Sequence, residues 1–263
     1  MNARLLHVSD LHATTHHERE IEQALGRLVE QLEPQLVVAS GDLAHRGRRS
    51  ELERAAALLR SLGPPVLAVP GNHDLPHTPA RFVRPWREFN RVWETTEPTA
   101  ALPGLHVVGL NSARPFRHQG GAQSRAQLER AAERLAAAET GALRVAVLHH
   151  HLIGAPWRAA RKRPVSHRTR VLRTLVDAGA DLILAGHIHQ AAVSERHEFE
   201  VVGDEAHTAV VAIAPGLGRP RPRRLGEARG LHLHEADADA IVVRTFCWSR
   251  GEWTPSAERR FLR

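Results

Sequence analysis

The stretch RLLHVSDLH at residues 4–12 sets the chain topology, because an apolar strand ends there in an Asp-x-His motif. Two more apolar runs end in the same manner: LVVA at 36–39 precedes Gly-Asp, and VLAV at 66–69 precedes Gly-Asn-His-Asp. Between these runs, residues 18–32 and 50–62 place leucines at helical spacing. This β-α-β-α-β order predicts parallel strands joined by right-handed crossovers.

The rest of the chain continues this alternation and then changes character. Helices are predicted at 124–138 and 166–178, and strands at 105–110, 143–148 and 182–185. Beyond residue 190 only strands are predicted, at 199–202, 207–213, 230–234 and 240–247. We expect an α/β fold, a four-layer α/β/β/α sandwich of two mixed sheets with outer helices. Residues 1–263 are expected to form one domain, in which 190–263 supply a β-rich second-sheet portion.

Local signals refine this prediction. Ser50 with Glu53, and Ser124 with Gln127, have the spacing of helix capping boxes. Residues 76–100 lack a clean period and are predicted to be an irregular insertion with helical turns. The insertion contains three aromatic side chains at spacings of about 3 and 4, which favours the core-facing side of a helix over a base-stacking or lipid-covering site. They are Trp86, Phe89 and Trp93.

Composition excludes several classes of protein. The chain has 263 residues, 42% hydrophobic and 25% charged, which is typical of a globular protein. A single cysteine, Cys247, excludes an internal disulfide and a thiolate cluster. We find neither a secretory signal nor an apolar run long enough to span a bilayer. The sequence therefore predicts a cytoplasmic protein without a membrane span.

The charge is biased toward arginine. Net charge is +7, and Lys162 is the only lysine among 36 basic residues. Tyrosine is absent as well, which favours the codon bias of a GC-rich genome over selection for a partner. A basic surface still attracts polyanions, so nucleic acid stays open as a partner.

Five polar motifs follow predicted strands, where open α/β sheets place their sites. Each one alone is a weak indication, since Gly-Asp is usually a turn and a strand-ending His is usually a satisfied polar group. Together they supply carboxylates, imidazoles and one amide oxygen, which suit Mn, Fe, Zn or Co. The motifs are Asp10-Leu11-His12, Gly41-Asp42, Gly71-Asn72-His73-Asp74, His149-His150-His151 and Gly186-His187-Ile188-His189.

This series of motifs resembles the calcineurin-like metallophosphoesterase family, in particular its bacterial cyclic-nucleotide phosphodiesterase and glycerophosphodiesterase branch. The motifs reach from residue 10 to residue 189. The resemblance implies two divalent or trivalent ions (Mn, Fe, Zn or Co) and hydrolysis of a phosphoester by a metal-bridging hydroxide. Two ions roughly 3.5–4 Å apart suit such an in-line displacement at phosphorus.

The resemblance also implies a role for each residue. One ion would be held by Asp10, His12 and His189, and the second by Asn72, His149 and His187. Asp42 would bridge both ions, since its carboxylate has two usable oxygens. The implied catalytic residues are His73, which would stabilise the phosphate or protonate the leaving oxygen, and Asp74, which would orient the His73 ring.

Two departures from the family pattern leave alternatives open. Three histidines occur where the family often has His-His-Pro, so His150 competes with His149 as the ligand. Residues 44–47 read Ala-His-Arg-Gly where cyclic-nucleotide enzymes often carry an acidic residue, which weakens an assignment to cyclic AMP. His45 and Arg46 are interpreted as solvated loop residues rather than substrate contacts.

Two basic stretches, 158–173 and 219–224, either grip a phosphorylated partner or form a solvated face. The sequence predicts a metal-dependent phosphodiesterase acting on a phosphorylated small molecule. The rival predictions are a nuclease for single-stranded DNA, a phosphomonoesterase, and a non-catalytic binding scaffold like the retromer subunit of the family. The scaffold is disfavoured because every expected ligand is present. The physiological substrate, the native metal pair and the oligomeric state are not predicted.

Overall fold

The structure is a computed structural model, and it describes residues 3–14, 18–153, 162–198, 207–219 and 227–263. In chain order the elements are β1 (Ala3–Val8), α1 (Arg19–Leu32), β2 (Leu36–Ala39), α2 (Arg49–Arg60), β3 (Val66–Ala68), α3 (Ala80–Val83), α4 (Arg87–Trp93), β4 (Thr99–Leu102), β5 (Leu105–Gly109), α5 (Arg125–Ala136), β6 (Leu143–Val147), α6 (Arg168–Asp177), β7 (Leu182–Ala185), β8 (Ala192–Glu195), β9 (Val210–Ile213), β10 (Gly230–Ala236), β11 (Ala240–Ser249) and β12 (Glu252–Leu262).

The strands form two six-stranded mixed sheets. The first has the order β12-β11-β10-β1-β2-β3, with β1, β2 and β3 parallel as predicted. The second has the order β4-β5-β6-β7-β9-β8, in which β5, β6, β7 and β9 are parallel and the two edge strands are antiparallel. Crossover helices between parallel strands explain this arrangement.

Side chains alternate across each sheet and so create three apolar layers. Leu6 of β1 packs outward with Leu25 of α1 and Leu52 of α2. Leu5, its neighbour in sequence, faces the second sheet. Helices α5 and α6 cover the outer face of that second sheet. The four-layer α/β/β/α sandwich is therefore confirmed.

The insertion at 76–100 contains the short helices α3 and α4. Its aromatic side chains do line the core, since Phe89 is fully buried and Trp93 nearly so, with Trp86 packed against them. The last residues of the insertion begin β4, an edge strand that the sequence pattern did not reveal.

The prediction that 190–263 supply the second sheet is wrong for most of that segment. Only β8 and β9 join the second sheet, whereas β10, β11 and β12 extend the first one. The reason is antiparallel pairing of β10 with β1, which hydropathy alone does not indicate. Residues 199–202, predicted as a strand, lie outside the described residues.

Candidate metal centre

The five motifs meet where the parallel strands of both sheets end. Asp10 follows β1, Asp42 follows β2, and His187 follows β7, which lies in the other sheet. The two sheets are joined directly there, because the backbone N–H of His187 donates to Asp10 Oδ2 over 2.9 Å. The predicted convergence at this edge of the sandwich is thus present in the structure.

The backbone at this edge adopts strained conformations, which direct the side chains of the motifs toward the centre. Several non-glycine residues adopt positive φ, among them Asp10 at 52°, Asp42 at 52° and His187 at 75°. Such left-handed conformations cost roughly 1–2 kcal/mol each for L-residues and concentrate at functional sites. His12 and His189 share the conformation, with φ of 46° and 57°.

Asp10, His12 and His189 form the first cluster, in which one potential ligand atom from each lies within 4.8 Å of the others. Asp10 Oδ1 is 3.2 Å from His189 Nε2 and 3.8 Å from His12 Nε2. The two histidine rings are stacked, with centroids 5.0 Å apart. Ser9 Oγ donates to the other oxygen of Asp10 over 2.7 Å and fixes the carboxylate.

Asp42, His149 and His187 form the second cluster, and one potential ligand atom from each again lies within 4.8 Å of the others. His149 Nε2 lies 3.3 Å from Asp42 Oδ1 and 3.2 Å from His187 Nδ1. All three side chains are fully buried. The cluster therefore combines one carboxylate and two imidazoles away from solvent.

The Asp42 carboxylate lies between the two clusters. Its Oδ1 is the oxygen near His149, whereas its Oδ2 lies 3.8 Å from His12 Nε2 of the first cluster. Gly71 makes this placement possible, because a Cβ there would collide with that carboxylate. The geometry is that of a carboxylate able to share one oxygen with each of two ions.

Several buried polar atoms at this centre make no hydrogen bond within the described chain. They include Asp10 Oδ1, Asp42 Oδ2, Asn72 Oδ1 and His187 Nε2. A buried unsatisfied polar group costs about 1–3 kcal/mol, so such atoms require partners. Carboxylate, amide and imidazole donors fit a first-row transition metal.

The structure distinguishes His149 from His150. His149 Nδ1–H donates to the carbonyl oxygen of Ser40 over 2.8 Å, which directs Nε2 toward Asp42. His150 Nδ1 instead bonds Ser112 Oγ over 2.8 Å. Within the described chain His150 joins none of the potential metal-binding groups. His149 is therefore the residue placed for ligation.

His73 is half-buried beside the first cluster, and its ring centroid is 4.6 Å from that of His12. Its Nδ1 lies 2.9 Å from the carbonyl oxygen of His45, which can only accept, so Nδ1 carries the proton and Nε2 the lone pair. Its backbone N–H donates to Asp42 Oδ1 over 2.8 Å. His73 is thus tied to the centre while its ring stays out of both clusters.

The expectation that Asp74 orients the His73 ring is wrong. The Asp74 carboxylate accepts hydrogen bonds from the backbone N–H groups of Ala44 and Gly71, both at 2.7 Å. The carbonyl of His45 holds the His73 ring instead. Asp74 is fully buried, and burial together with the charge of Asp42 raises its pKa to about 7. Its structural effect is to join the loops after β2 and β3.

Electrostatics favour ionised carboxylates at the centre. Burial opposes ionisation of Asp42, but the surrounding histidines, His149 foremost, together outweigh it and hold the pKa of Asp42 well below its usual range. The reciprocal effect of Asp42 overcomes burial and raises the pKa of His149 to about 9. Burial lowers the pKa of His12 to about 3, so this ring is neutral at physiological pH. Without a metal, His149 is thus protonated and paired with the anionic Asp42, whereas His12 is a neutral imidazole. A metal bound by His149 would have to displace that proton.

Sequence analysis missed the residues that orient the ligands: Ser9, Ser40 and the carbonyl of His45. Hydroxyl and carbonyl partners leave no pattern in a single sequence. His45 and Arg46 are exposed, as predicted, although the His45 imidazole lies near His12 and His73 as a third potential metal-binding group.

A cavity of about 490 Å³ opens beside His12. Its walls are mainly apolar, formed by α1, α2 and the segment around Leu217. Arg54 and Arg219 also line it, together with Glu18 and Glu22, and Glu22 is ion-paired with Arg54. The basic stretches are described only in part, because residues 154–161 and 220–226 lie outside the described residues. Among the described helices, none is long and apolar enough to cross a membrane.

An α/β/β/α sandwich whose parallel strands end in two His/Asp clusters defines the metallophosphoesterase class. The chain belongs to the calcineurin-like phosphoesterase family, whose sequence model matches residues 3–191. That range contains all the motifs that carried the resemblance, which is thereby confirmed.

One curated relative is described as a probable cyclic nucleotide phosphodiesterase from a strain of Synechococcus. It is 29% identical over 178 residues, which cover 64% of this chain and 63% of that relative. The match therefore spans less than two thirds of the relative's length.

Solved structures share the fold at low sequence identity. Purple acid phosphatase PPD1 from yellow lupin superimposes with a TM-score of 0.71 at 12% identity, covering 98% of this chain and 53% of that one. The Plasmodium inner-membrane-complex anchor GAP50 gives 0.63 at 12% identity, covering 99% and 89%. Vacuolar protein sorting 29 from Cryptosporidium parvum gives 0.54 at 11% identity, covering 100% and 99%.

Proposed function

We propose that this chain is a two-metal phosphodiesterase. The observation that carries the proposal is the position of Asp42, whose two oxygens face two separate clusters of ligand atoms. A single-ion site would not need a carboxylate directed at both groups. Membership of the calcineurin-like phosphoesterase family supports the same chemistry.

In this proposal Asp10, His12 and His189 hold one ion, and Asn72, His149 and His187 hold the other. Two bound ions would neutralise the phosphate charge and activate water near neutral pH. Asn72 contributes a neutral ligand, which limits negative charge beside an anionic substrate. Its Oδ1 is buried without a hydrogen bond inside the described chain, as a ligand atom awaiting a partner would be.

His73 is proposed to serve as the proton donor or charge-stabilising group for the leaving oxygen. Its Nδ1–H is engaged by the His45 carbonyl, so Nε2 is the nitrogen that would gain and release a proton. The His45 carbonyl, and not Asp74, thereby orients the His73 ring.

The proposed substrate class is a phosphodiester with an apolar or aromatic leaving group. The cavity beside His12 has apolar walls formed by Leu25, Leu58 and Leu217, and Arg219 lies among its lining residues. The relative described as a probable cyclic nucleotide phosphodiesterase supports a diester rather than a monoester.

A substrate panel with added Mn²⁺ tests this proposal. It should include cyclic nucleotides, glycerophosphodiesters, nucleotide-sugar pyrophosphates, single-stranded DNA and a chromogenic phosphomonoester. We expect turnover of small phosphodiesters. Asp42→Asn should reduce this turnover at least about a hundredfold, because the two bridged metal ions lower the activation barrier by several kcal/mol. Asp239→Asn, in an exposed turn, is the matched control.

Turnover of DNA alone would favour the nuclease, and turnover of the monoester alone would favour the phosphomonoesterase. Parental activity of Asp42→Asn on the chromogenic diester would refute the bridging role.

A further inference from the structure

Three histidines outside the metal centre lie together between the two sheets: His7 on β1, and His232 and His234 on β10. Antiparallel pairing places His7 opposite His232, and Leu5 opposite His234. His7 lies two residues after Leu5, and therefore shares its face toward the second sheet. All three imidazoles are completely buried.

These rings lack protein partners for their nitrogens. Five of the six ring nitrogens make no hydrogen bond within the part of the chain that is described. The sixth, His7 Nε2, lies 2.9 Å from Ser40 Oγ. Each unsatisfied nitrogen in an apolar interior costs about 1–3 kcal/mol. Three such rings in contact require something to bind them.

The arrangement matches what one metal ion needs. One potential ligand atom from each ring lies within 4.8 Å of the other two, as in both clusters of the metal centre. The ring centroids form a near-equilateral triangle of 6.0, 5.7 and 5.7 Å. Zinc binds imidazole at about 2.0–2.1 Å, with nitrogens roughly 3.4 Å apart in a tetrahedral site, so small side-chain rotations complete it.

The protonation state is also suitable. Burial lowers the pKa of His232 to about 3, and burial with the neighbouring rings holds the pKa of His7 and of His234 well below the ordinary value. All three are therefore neutral at physiological pH, as metal ligands must be. If His7 Nε2–H donates to Ser40 Oγ, the His7 Nδ1 lone pair faces the cluster.

We propose that His7, His232 and His234 bind a further transition-metal ion of the Zn²⁺ type, between the sheets and separate from the centre around Asp42. The ion would join β1 to β10, strands that lie more than 200 residues apart in the chain. It would also stabilise the centre around Asp42 through Ser40. The Ser40 hydroxyl bonds His7, and the Ser40 carbonyl bonds His149.

Metal content of the Zn²⁺-saturated, desalted protein tests this proposal. We expect His232→Leu to hold one zinc per chain fewer than the parent, whatever number the centre around Asp42 retains. His106→Leu is the matched control, since that histidine lies on β5 and bonds the Arg134 carbonyl instead. The control should keep the parental zinc content, and equal contents in the parent and His232→Leu would overturn the proposal.

A measurement on the unmodified protein covers the case in which His232→Leu fails to fold. Crystals of the zinc-loaded protein, measured at the zinc absorption edge, should show an anomalous peak between the three rings. Ordered water or no density there would refute the site. Peaks beside Asp42 report on the proposed catalytic ions separately, so the two proposals can fail independently.

Discussion

His149 donates its Nδ1 proton to the carbonyl oxygen of Ser40 over 2.8 Å. This bond orients the imidazole ring and directs Nε2 toward Asp42. An orienting acceptor behind a metal-ligating histidine typically affects metal affinity 10–100-fold. The pair therefore explains how the His149 ring is oriented for the ligand role that we propose.

Substitution of His149 and substitution of its neighbour His150 should have different effects on metal content and turnover. His149→Ala is expected to lower turnover by at least about a hundredfold and to release metal, since it removes a proposed ligand. His150→Ala keeps the proposed ligands and should retain metal. It should lower the stability of the fold, because the hydrogen bond to Ser112 Oγ and the packing of a buried ring are lost. Metal content and turnover measured side by side check this. Metal loss confined to His150→Ala would reverse the assignment.

His73→Ala should slow the reaction while the protein retains its metal. General acid–base catalysis contributes typically 10²–10⁴-fold, and the ring lies beside the clusters rather than inside them. The loss should be smaller for substrates whose leaving group needs no proton, such as nitrophenyl esters. Loss of metal on His73→Ala would instead identify this residue as a ligand.

Asp74→Asn should destabilise the fold without removing the proton donor. The carboxylate accepts from two buried backbone N–H groups, and an amide replaces one acceptor oxygen by a donor. We expect a loss of about 1–3 kcal/mol in the free energy of unfolding, measured with denaturant. Asp239→Asn serves as the comparison, and equal stability of the two variants would contradict the assigned contacts.

The metal-free protein should lose stability as pH falls below about 6.5. The unfolded chain protonates its histidines there, whereas burial keeps the pKa of His232 near 3 in the folded state. The unfolded state thus binds more protons, and the free energy of unfolding falls by up to about 1.4 kcal/mol per pH unit for each such histidine. Above pH 6.5 both states are neutral and the effect vanishes.

His232→Leu removes one of these groups, so its free energy of unfolding should depend less steeply on pH between about 6 and 4. Chemical unfolding of the metal-free parent and variant across that range measures the difference. Identical slopes would mean that His232 is protonated in the folded protein.

The sequence predicted the parallel strands and the convergence of the motifs because apolar runs ending in polar residues have a direct physical meaning. Parallel strands of one sheet bring their carboxyl ends to one edge, so Asp10 and Asp42 were expected to lie near each other. His187 comes from the other sheet and reaches them through its backbone bond to Asp10. The helix caps were predicted correctly for α5 but not for α2. Ser124 and Gln127 form the expected capping box, whereas α2 begins before Ser50, and Glu51 accepts from the Arg48 N–H at 3.2 Å.

Contacts between segments distant in the chain could not be predicted from the sequence. The edge strand β12 is mostly exposed, so it lacks the apolar alternation that indicates a strand. The role of Asp74 depends on which backbone N–H groups surround it. Likewise, the meeting of His7 with His232 depends on the register of β1 against β10, which no local pattern specifies.

Electron paramagnetic resonance of the Mn²⁺-loaded protein tests most directly whether Asp42 joins two ions. A bridged pair should give the multiline spectrum of two spin-coupled Mn²⁺ ions in the parent protein, and Asp42→Asn should abolish that coupling. The six-line spectrum of isolated Mn²⁺ ions, in a parent shown to hold two or more ions per chain, would contradict the account.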